Sequence, residues 1–196
     1  MIEQESLFRL GVKLYFKNTP ELELASAVKV FHGWIQDGRL PGLLIDVADY
    51  RHVEGGPGVL LIAHEGNYGL SLRGRRPAFE YYQKRPGGTD IAERWRLACR
   101  RALEAALCLC GEKELGAALE LDSSEICFFA HDRLLAPNSR ATDDALRPVI
   151  EALVSRLYAG RPCAVDPSPD AAGLFALHVR HAPDVEAAVL LAAIAD

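Results

Sequence analysis

The sequence predicts a single domain of the α+β class, in which pseudo-duplicated strand–helix–strand–strand units form a mainly antiparallel sheet with helices on one face. Three observations support this prediction. Strand-like segments fall into two groups, and in each group an amphipathic helix follows the first strand. A long helical pattern separates the two groups. The chain has 196 residues, 49% of them hydrophobic and 25% charged, which suits one domain with a sizeable core.

The first group, residues 8–72, is predicted to run strand, helix, strand, strand. Thr19 is a favourable N-cap and Pro20 suits the first helical position, so the helix is expected to begin there. A Gly-Gly-Pro-Gly turn separates the last two strands. The predicted bounds are Phe8–Lys17 for the first strand, Pro20–Gly38 for the helix, and Leu43–Val53 and Val59–Leu72 for the two strands of the hairpin.

A long central helix is predicted over about 90–110, because Asp90 and Glu93 have the spacing of a helix cap and Gly111 ends the apolar pattern. The second group, residues 120–181, repeats the order of the first. Thr142 is expected to open its helix and Gly160 to end it. The predicted strands of this group are Glu120–Ala130, Pro162–Asp166 and Gly173–His181.

A short C-terminal helix, Asp184–Ala195, is apolar almost all round. Such a helix needs cover, either in the core or at a subunit contact, and we therefore expect a homodimer. The other apolar runs are too short to cross a bilayer, and the acidic N-terminus lacks the pattern of a secretion leader. These features predict a cytoplasmic protein with no membrane partner.

The two groups also share a loose local pattern, which predicts an internal duplication. Ile45-Asp46, Asp49 and Gly58-Val59 recur as Val165-Asp166, Asp170 and Gly173-Leu174. The element order resembles the tandem β-α-β-β domains of gyrase-inhibitor-like effector-binding proteins and SOUL-type haem-binding proteins. That resemblance implies a ligand groove between the two halves, and it carries over no functional residue. The stretch DVADYRHVEGGPGVLLIAHEGNY is similar to a group of bacterial proteins with no assigned function.

The hairpin 43–72 carries the candidate catalytic residues, because it threads ionisable side chains through an apolar element, where they must be paired. With the turn centred on Gly55 and Gly56, Val47 lies opposite His64, and Asp49 becomes a diagonal neighbour of His64 on the more apolar face. A register shifted by one residue instead moves His64 to the other face. An Asp49–His64 pair could be a structural hydrogen bond, or an acid–base pair assisted by Glu65 or Tyr68.

The segment 72–101 holds nine basic and three acidic residues, which leaves −11 on the rest of a chain whose net charge is −5. This asymmetry is typical of a solvated helix face or of an anion-binding surface. The candidate anion-binding residues are Arg73, Arg75, Arg76, Arg94 and Arg101.

The five cysteines have no paired spacing, so neither a disulfide framework nor a zinc knuckle is predicted, and all five are expected to be structural. No metal site and no cofactor are predicted. His178 and His181 are expected to be ordinary strand residues.

Three functions compete, and the residues do not decide whether the protein is an enzyme. The preferred one is a non-enzymatic domain that binds a small molecule or a protein and self-associates. The second is a small hydrolase that uses Asp49 and His64. The third, binding of nucleic acid or another polyanion through 72–101, is disfavoured by the sequence pI of about 5.7.

Overall fold

One antiparallel sheet of eight strands organises the part of the chain that the computed structural model describes, namely residues 6–17, 24–54, 56–72, 76–115, 119–168, 173–181 and 184–195. The strands are β1 Leu10–Phe16, β2 Leu44–Asp49, β3 Val59–Ala63, β4 Gly66–Ser71, β5 Ala78–Gln83, β6 Leu121–Ala130, β7 Ala164–Pro167 and β8 Phe175–Arg180. The helices are α1 Leu24–Asp37, α2 Ile91–Cys110, α3 Arg140–Leu157 and α4 Ala187–Ala193, with a short 3₁₀ helix at Lys113–Leu115.

The strand order across the sheet is β2-β3-β4-β5-β1-β6-β8-β7, and every neighbouring pair is antiparallel. The strands β1 and β6, which open the two groups, pair with each other near the middle of the sheet. The α+β class with an antiparallel sheet is confirmed. The internal duplication stays a prediction. The first group holds one strand more than predicted, β4, and β5 follows that group in the chain.

The two faces of the sheet differ because the strands alternate in side-chain direction. On β1, the buried side chains Leu10, Val12, Leu14 and Phe16 point to one face, where α1 and α2 pack on the sheet. Helix α3 packs on β8, and α2 also contacts α3 and α4. The opposite face carries a separate apolar cluster that contains no helical residue. We call it the open face.

Helix α2 packs on the covered face of the sheet and also contacts the helices α3 and α4. Its N-cap is Asp90, whose side chain accepts a hydrogen bond from the backbone N–H of Glu93, as the spacing predicts. Trp95 is fully buried on this helix, and its ring meets the edge of Phe128 on β6 at a centroid distance of 5.6 Å. An aromatic contact therefore stabilises the packing of α2 on the covered face of β6.

Helix α3 begins two residues before the predicted position. Its N-cap is Ser139, which accepts from the backbone N–H of Thr142, while the Thr142 hydroxyl donates to the carbonyl of Pro137. Gly160, with φ of +73°, follows the end of the helix, where the positive φ favours glycine. The predicted cap residues of α1, Thr19 and Pro20, lie outside the described residues.

Two predictions about the first group are wrong. The stretch 59–72 is not one strand, because a tight turn at His64–Glu65 divides it into β3 and β4, paired with Ile62 opposite Asn67. No Asn-Gly or Asp-Gly pair occupies the centre of this turn, and the nearest turn-type residues, Gly66 and Asn67, belong to β4. The Arg-rich segment also contains a strand that was not predicted, β5.

The C-terminal helix finds its cover within the chain. Leu190 and Ile194 are fully buried against the other helices. Arg96 and Arg156 donate hydrogen bonds to the carbonyls of Ile194 and Ala193 at the end of α4. Elsewhere, no helix in the described ranges combines the length and the hydrophobicity needed to cross a lipid bilayer.

Candidate functional site

The open face forms a groove of about 800 Å³ over the central strands. Its floor comes from β1, β5, β6 and β8, and its walls include Pro57 and Arg133, together with Ser168, Gly173 and Leu174. The volume falls within the range of about 300–1,000 Å³ that is usual for small-molecule sites. Because the strands are in register, the floor is organised as rows of side chains that run across the sheet.

The first row consists of two aromatic residues and two small residues. Tyr82, Gly11, Phe129 and Ala176 lie directly opposite one another on β5, β1, β6 and β8. Gly11 makes room for the Phe129 ring, since a Cβ atom at Gly11 would lie only 2.3 Å from it. The Tyr82 ring stacks on His131 at a centroid distance of 4.8 Å, and its hydroxyl accepts a hydrogen bond of 2.8 Å from Asn67. We call these four residues the aromatic row.

The second row is polar, and it lies two residues further along each strand. Glu80, Lys13, Cys127, His178 and Asp166 are successive cross-strand neighbours from β5 to β7. The Lys13 ammonium pairs with the Glu80 carboxylate at 3.0 Å. We call these five residues the polar row. The groove is therefore amphipathic, with flat apolar rings on one side and hydrogen-bonding groups on the other.

Cys127 and His178 form the centre of the polar row. The Cys127 Sγ lies 4.0 Å from the His178 Nε2, and the His178 Nδ1 lies 3.9 Å from a Glu125 carboxylate oxygen. Burial raises the pKa of Cys127 to about 12, and it lowers the pKa of His178. In this environment the cysteine is a thiol and the histidine is neutral at pH 7.

This cysteine–histidine pair lacks two requirements of a thiol hydrolase. The nucleophile of such an enzyme is a thiolate, whereas Cys127 holds its proton. Acyl transfer also needs donors aimed at the developing oxyanion. Cys127 lies in the interior of β6, between paired residues Lys13 on β1 and His178 on β8, so the sheet ladders use the backbone groups around it.

A charged cluster lies beside Tyr15, one of the residues that line the groove. Arg76 reaches Asp122 at 2.6 Å and Glu125 at 2.8 Å, and its guanidinium lies 5.1 Å from the centre of the Tyr15 ring. Burial raises the pKa of Tyr15, and the nearby Cys127 and Glu125 act in the same direction. Arg76 is thus committed to carboxylates of its own chain.

The stability of the fold should fall as the pH is lowered from 7.5 to 5.5, partly through His178. Burial lowers the folded-state pKa of this histidine, Arg180 and Lys13 lower it further, and Glu125 and Asp166 oppose them. The unfolded chain therefore takes up this proton first, at its ordinary pKa of about 6.5, so stability is lost from there downward. Urea unfolding at several pH values measures the slope.

His178→Gln should flatten this pH dependence, and the control His52→Gln, at an exposed loop position, should leave it unchanged. Equal slopes in the wild type and His178→Gln would contradict the assignment.

The predicted hairpin residues are not brought together. The structure pairs Val47 with Leu61 and Asp49 with Val59, so both registers considered from the sequence are wrong. The hairpin is centred on Glu54 and not on Gly55 and Gly56, as the bond from the backbone N–H of Tyr50 to the carbonyl of Gly58 shows. Asp49 thus lies at one end of β3 and His64 beyond the other end, about 16 Å apart at about 3.3 Å per residue.

Each hairpin candidate has a separate role. Asp49 forms an ion pair with Arg51 at 2.7 Å, whose hydrogen bonds lower the pKa of Asp49 to about 2. His64 and Glu65 are exposed in the turn between β3 and β4. Tyr68 is buried on the covered face against Phe79 and Tyr81, and burial raises its pKa. These four residues form no common site.

The candidate anion-binding arginines are dispersed as well. Arg73 and Arg75 lie outside the described residues. Arg76 belongs to the open face, whereas Arg94 and Arg101 belong to α2, which packs on the covered face. Arg94 is buried and donates to the carbonyl of Leu7, and Arg101 lies 3.7 Å from Glu104. The described arginines of this set do not form one basic surface.

Sequence reasoning missed the groove residues, above all Cys127 and His178. On β6, Cys127 and Phe129 alternate with Ile126 and Phe128, so the two pairs of side chains point to opposite faces of the sheet. Only the pairing of β6 with β8 brings His178 opposite Cys127. Across the described ranges, no set of three or more histidine, cysteine, aspartate or glutamate side chains is close enough to hold a metal ion.

Fold and site together define an antiparallel α+β protein with helices on one face of its sheet and an amphipathic groove on the other. Comparison with protein-family models, with curated proteins and with solved structures finds no match in any of the three. The site itself is therefore the basis for a proposal about function.

Proposed function

We propose that this protein binds a small organic molecule in the open-face groove, without transforming it. The observation that carries the proposal is an aromatic platform on the groove floor, where the Phe129 ring, 6% exposed, lies over Gly11 beside the partly buried Tyr82. A flat apolar ring of the ligand would lie on this platform. Its polar end would reach Lys13 and His178 in the polar row.

The composition of the groove supports an amphipathic ligand. Lys13 has three N–H donors, and one carboxylate partner, Glu80, leaves donors for a ligand. The Lys13 ammonium also lies 5.9 Å from the centre of the Phe129 ring, so the cation and the platform are adjacent. A molecule with a flat ring and one hydrogen-bond acceptor would match both features.

The position of the groove also supports binding. It lies where β1 and β6 meet, which are the first strands of the two groups. The resemblance noted from the element order implies a ligand groove between the two halves of the chain, and this location agrees with that expectation.

A library of aromatic fragments that each carry one polar group should yield binders by saturation-transfer NMR, and Ala176→Phe should weaken them at least tenfold. Ala176 is nearly buried on the groove floor beside Phe129, so a phenyl ring there would occupy the ligand volume. Titrations followed by NMR measure the dissociation constants. Ala141→Phe, at an exposed position on α3, is the matched control and should bind like the wild type.

Two results would contradict the proposal. One is a library in which nothing binds the folded wild-type protein. The other is a set of fragments that bind wild type, Ala176→Phe and Ala141→Phe with equal affinity, because such fragments lie outside the groove.

Self-association remains a separate proposal. The C-terminal helix gives it little support, because α4 buries Leu190 and Ile194 within the chain and leaves Val189 exposed. The exposed apolar side chains Leu43 and Ile45 beside the β2 edge do support contact with a second copy. Addition of a strand at that edge is disfavoured, because the backbone N–H of Val47 already donates a hydrogen bond to the side-chain carboxylate of Asp46. Light scattering at micromolar concentration decides the matter, and a monomer there would contradict self-association.

A further inference from the structure

We propose that Cys127 and His178 form a two-coordinate site for a soft monovalent metal ion, Cu(I). The two residues are directly opposite on β6 and β8, and both contribute to the floor of the groove. Their donor atoms, Sγ and Nε2, are 4.0 Å apart. This inference rests on the polar row alone and does not depend on the binding of an organic ligand.

The separation of the donor atoms favours a wide angle at the metal. With bond lengths of about 2.3 Å to sulfur and about 2.0–2.1 Å to nitrogen, as for zinc, a tetrahedral angle puts the two donors about 3.6 Å apart and a linear arrangement about 4.3 Å apart. The observed 4.0 Å between Cys127 Sγ and His178 Nε2 lies between these values. A metal ion satisfied by two donors at a wide angle therefore fits this pair without movement of the strands.

The number and softness of the donors favour Cu(I) over Zn²⁺. Structural zinc takes four ligands, whereas in the described part of the chain no group of three or more metal-binding side chains comes together. A thiolate is a soft ligand that selects Cu(I).

The groups around the pair suit a bound metal. With Nε2 on the metal, the histidine proton lies on Nδ1, which is buried, lacks a hydrogen bond and lies 3.9 Å from the Glu125 carboxylate. A carboxylate behind a ligating imidazole orients it and raises its basicity. Binding releases the thiol proton to solvent and leaves the oxidation state of copper and sulfur unchanged.

An anaerobic competition titration of the reduced full-length protein with Cu(I) and bathocuproine disulfonate tests the proposal. We expect one ion per chain in the wild type, and at least a hundredfold weaker binding in Cys127→Ser and in His178→Gln. Cys163→Ser and Cys108→Ser remove partly exposed thiols and are the matched controls, which should bind like the wild type. Glu125→Gln should weaken binding about 10–100-fold, as loss of an outer-shell partner does.

X-ray absorption of the copper-loaded wild type provides a second readout that needs no variant. One sulfur and one nitrogen neighbour are expected, and two sulfur neighbours would overturn the assignment. Tight binding that survives in Cys127→Ser would overturn it too, as would Zn²⁺ binding as tight as that of Cu(I). A wild-type protein that retains no Cu(I) against the competitor would show that the pair is only a thiol–imidazole hydrogen bond.

Discussion

Trp95→Ala should lower the free energy of unfolding by about 3–5 kcal/mol, the usual cost of removing a large buried aromatic side chain. Trp95 is fully buried, and its ring meets the edge of Phe128 on the covered side of β6. Phe128 lies between Cys127 and Phe129, whose side chains point to the groove, so the cavity left by the substitution would loosen the strand that holds the site. Urea denaturation followed by circular dichroism measures the change.

Trp95→Phe is the matched control. The indole N–H of Trp95 is buried without a hydrogen-bond partner, so phenylalanine removes an unsatisfied donor and keeps most of the ring. We expect a cost of about 1–2 kcal/mol, well below that of alanine. If alanine and phenylalanine destabilised the protein equally, the aromatic contact with Phe128 would not be the main contribution of this residue.

The fold could largely be predicted from the sequence where local signals are strong. The Asp90–Glu93 cap and the apolar spacing of the central helix predict α2 closely, and the strand Glu120–Ala130 corresponds to β6. The errors fall where local signals are weak. The turn at His64–Glu65 has no standard turn residue at its two central positions, and β5 lies within a segment whose charge suggests a helix face or loop.

The candidate site could not be predicted, because cross-strand register creates it. An apolar strand accommodates a cysteine such as Cys127 without any functional signal, and His178 is 51 residues further along the chain. Their contact depends on β6 lying next to β8, which follows from the topology of the whole sheet. The hairpin candidates Asp49 and His64 show the reverse case, since the pairing of β2 with β3 is centred on Glu54 and places Asp49 opposite Val59, at the far end of β3 from His64.

The shape of the groove depends on the glycine at position 11, which has no side chain, and a substitution there tests this dependence. The Phe129 ring occupies the volume that a side chain at Gly11 would need, and this keeps the ring flat on the sheet. The absence of a Cβ atom on β1 is therefore part of the ligand platform. A substitution there should affect both stability and binding, whereas most surface substitutions affect neither.

Gly11→Ala should lower the free energy of unfolding by about 1–3 kcal/mol, as overpacking does, and should abolish fragment binding in the groove. The new Cβ atom would lie 2.3 Å from the Phe129 ring, which must swing into the space above the sheet. Gly33→Ala on α1 is the control, because no atom lies within 4 Å of its added Cβ and alanine favours a helix by about 1 kcal/mol. It should stabilise the fold and leave binding intact.

Combining Gly11→Ala with Phe129→Ala separates the clash from other effects. If the clash is the cause, the double variant loses less stability than the sum of the two single variants, since the ring that must move is absent. Strict additivity in urea unfolding would show that the alanine at Gly11 acts through the backbone of β1. Retained fragment binding in Gly11→Ala would place the ligand away from the aromatic row, because the displaced ring and a bound ligand would need the same volume.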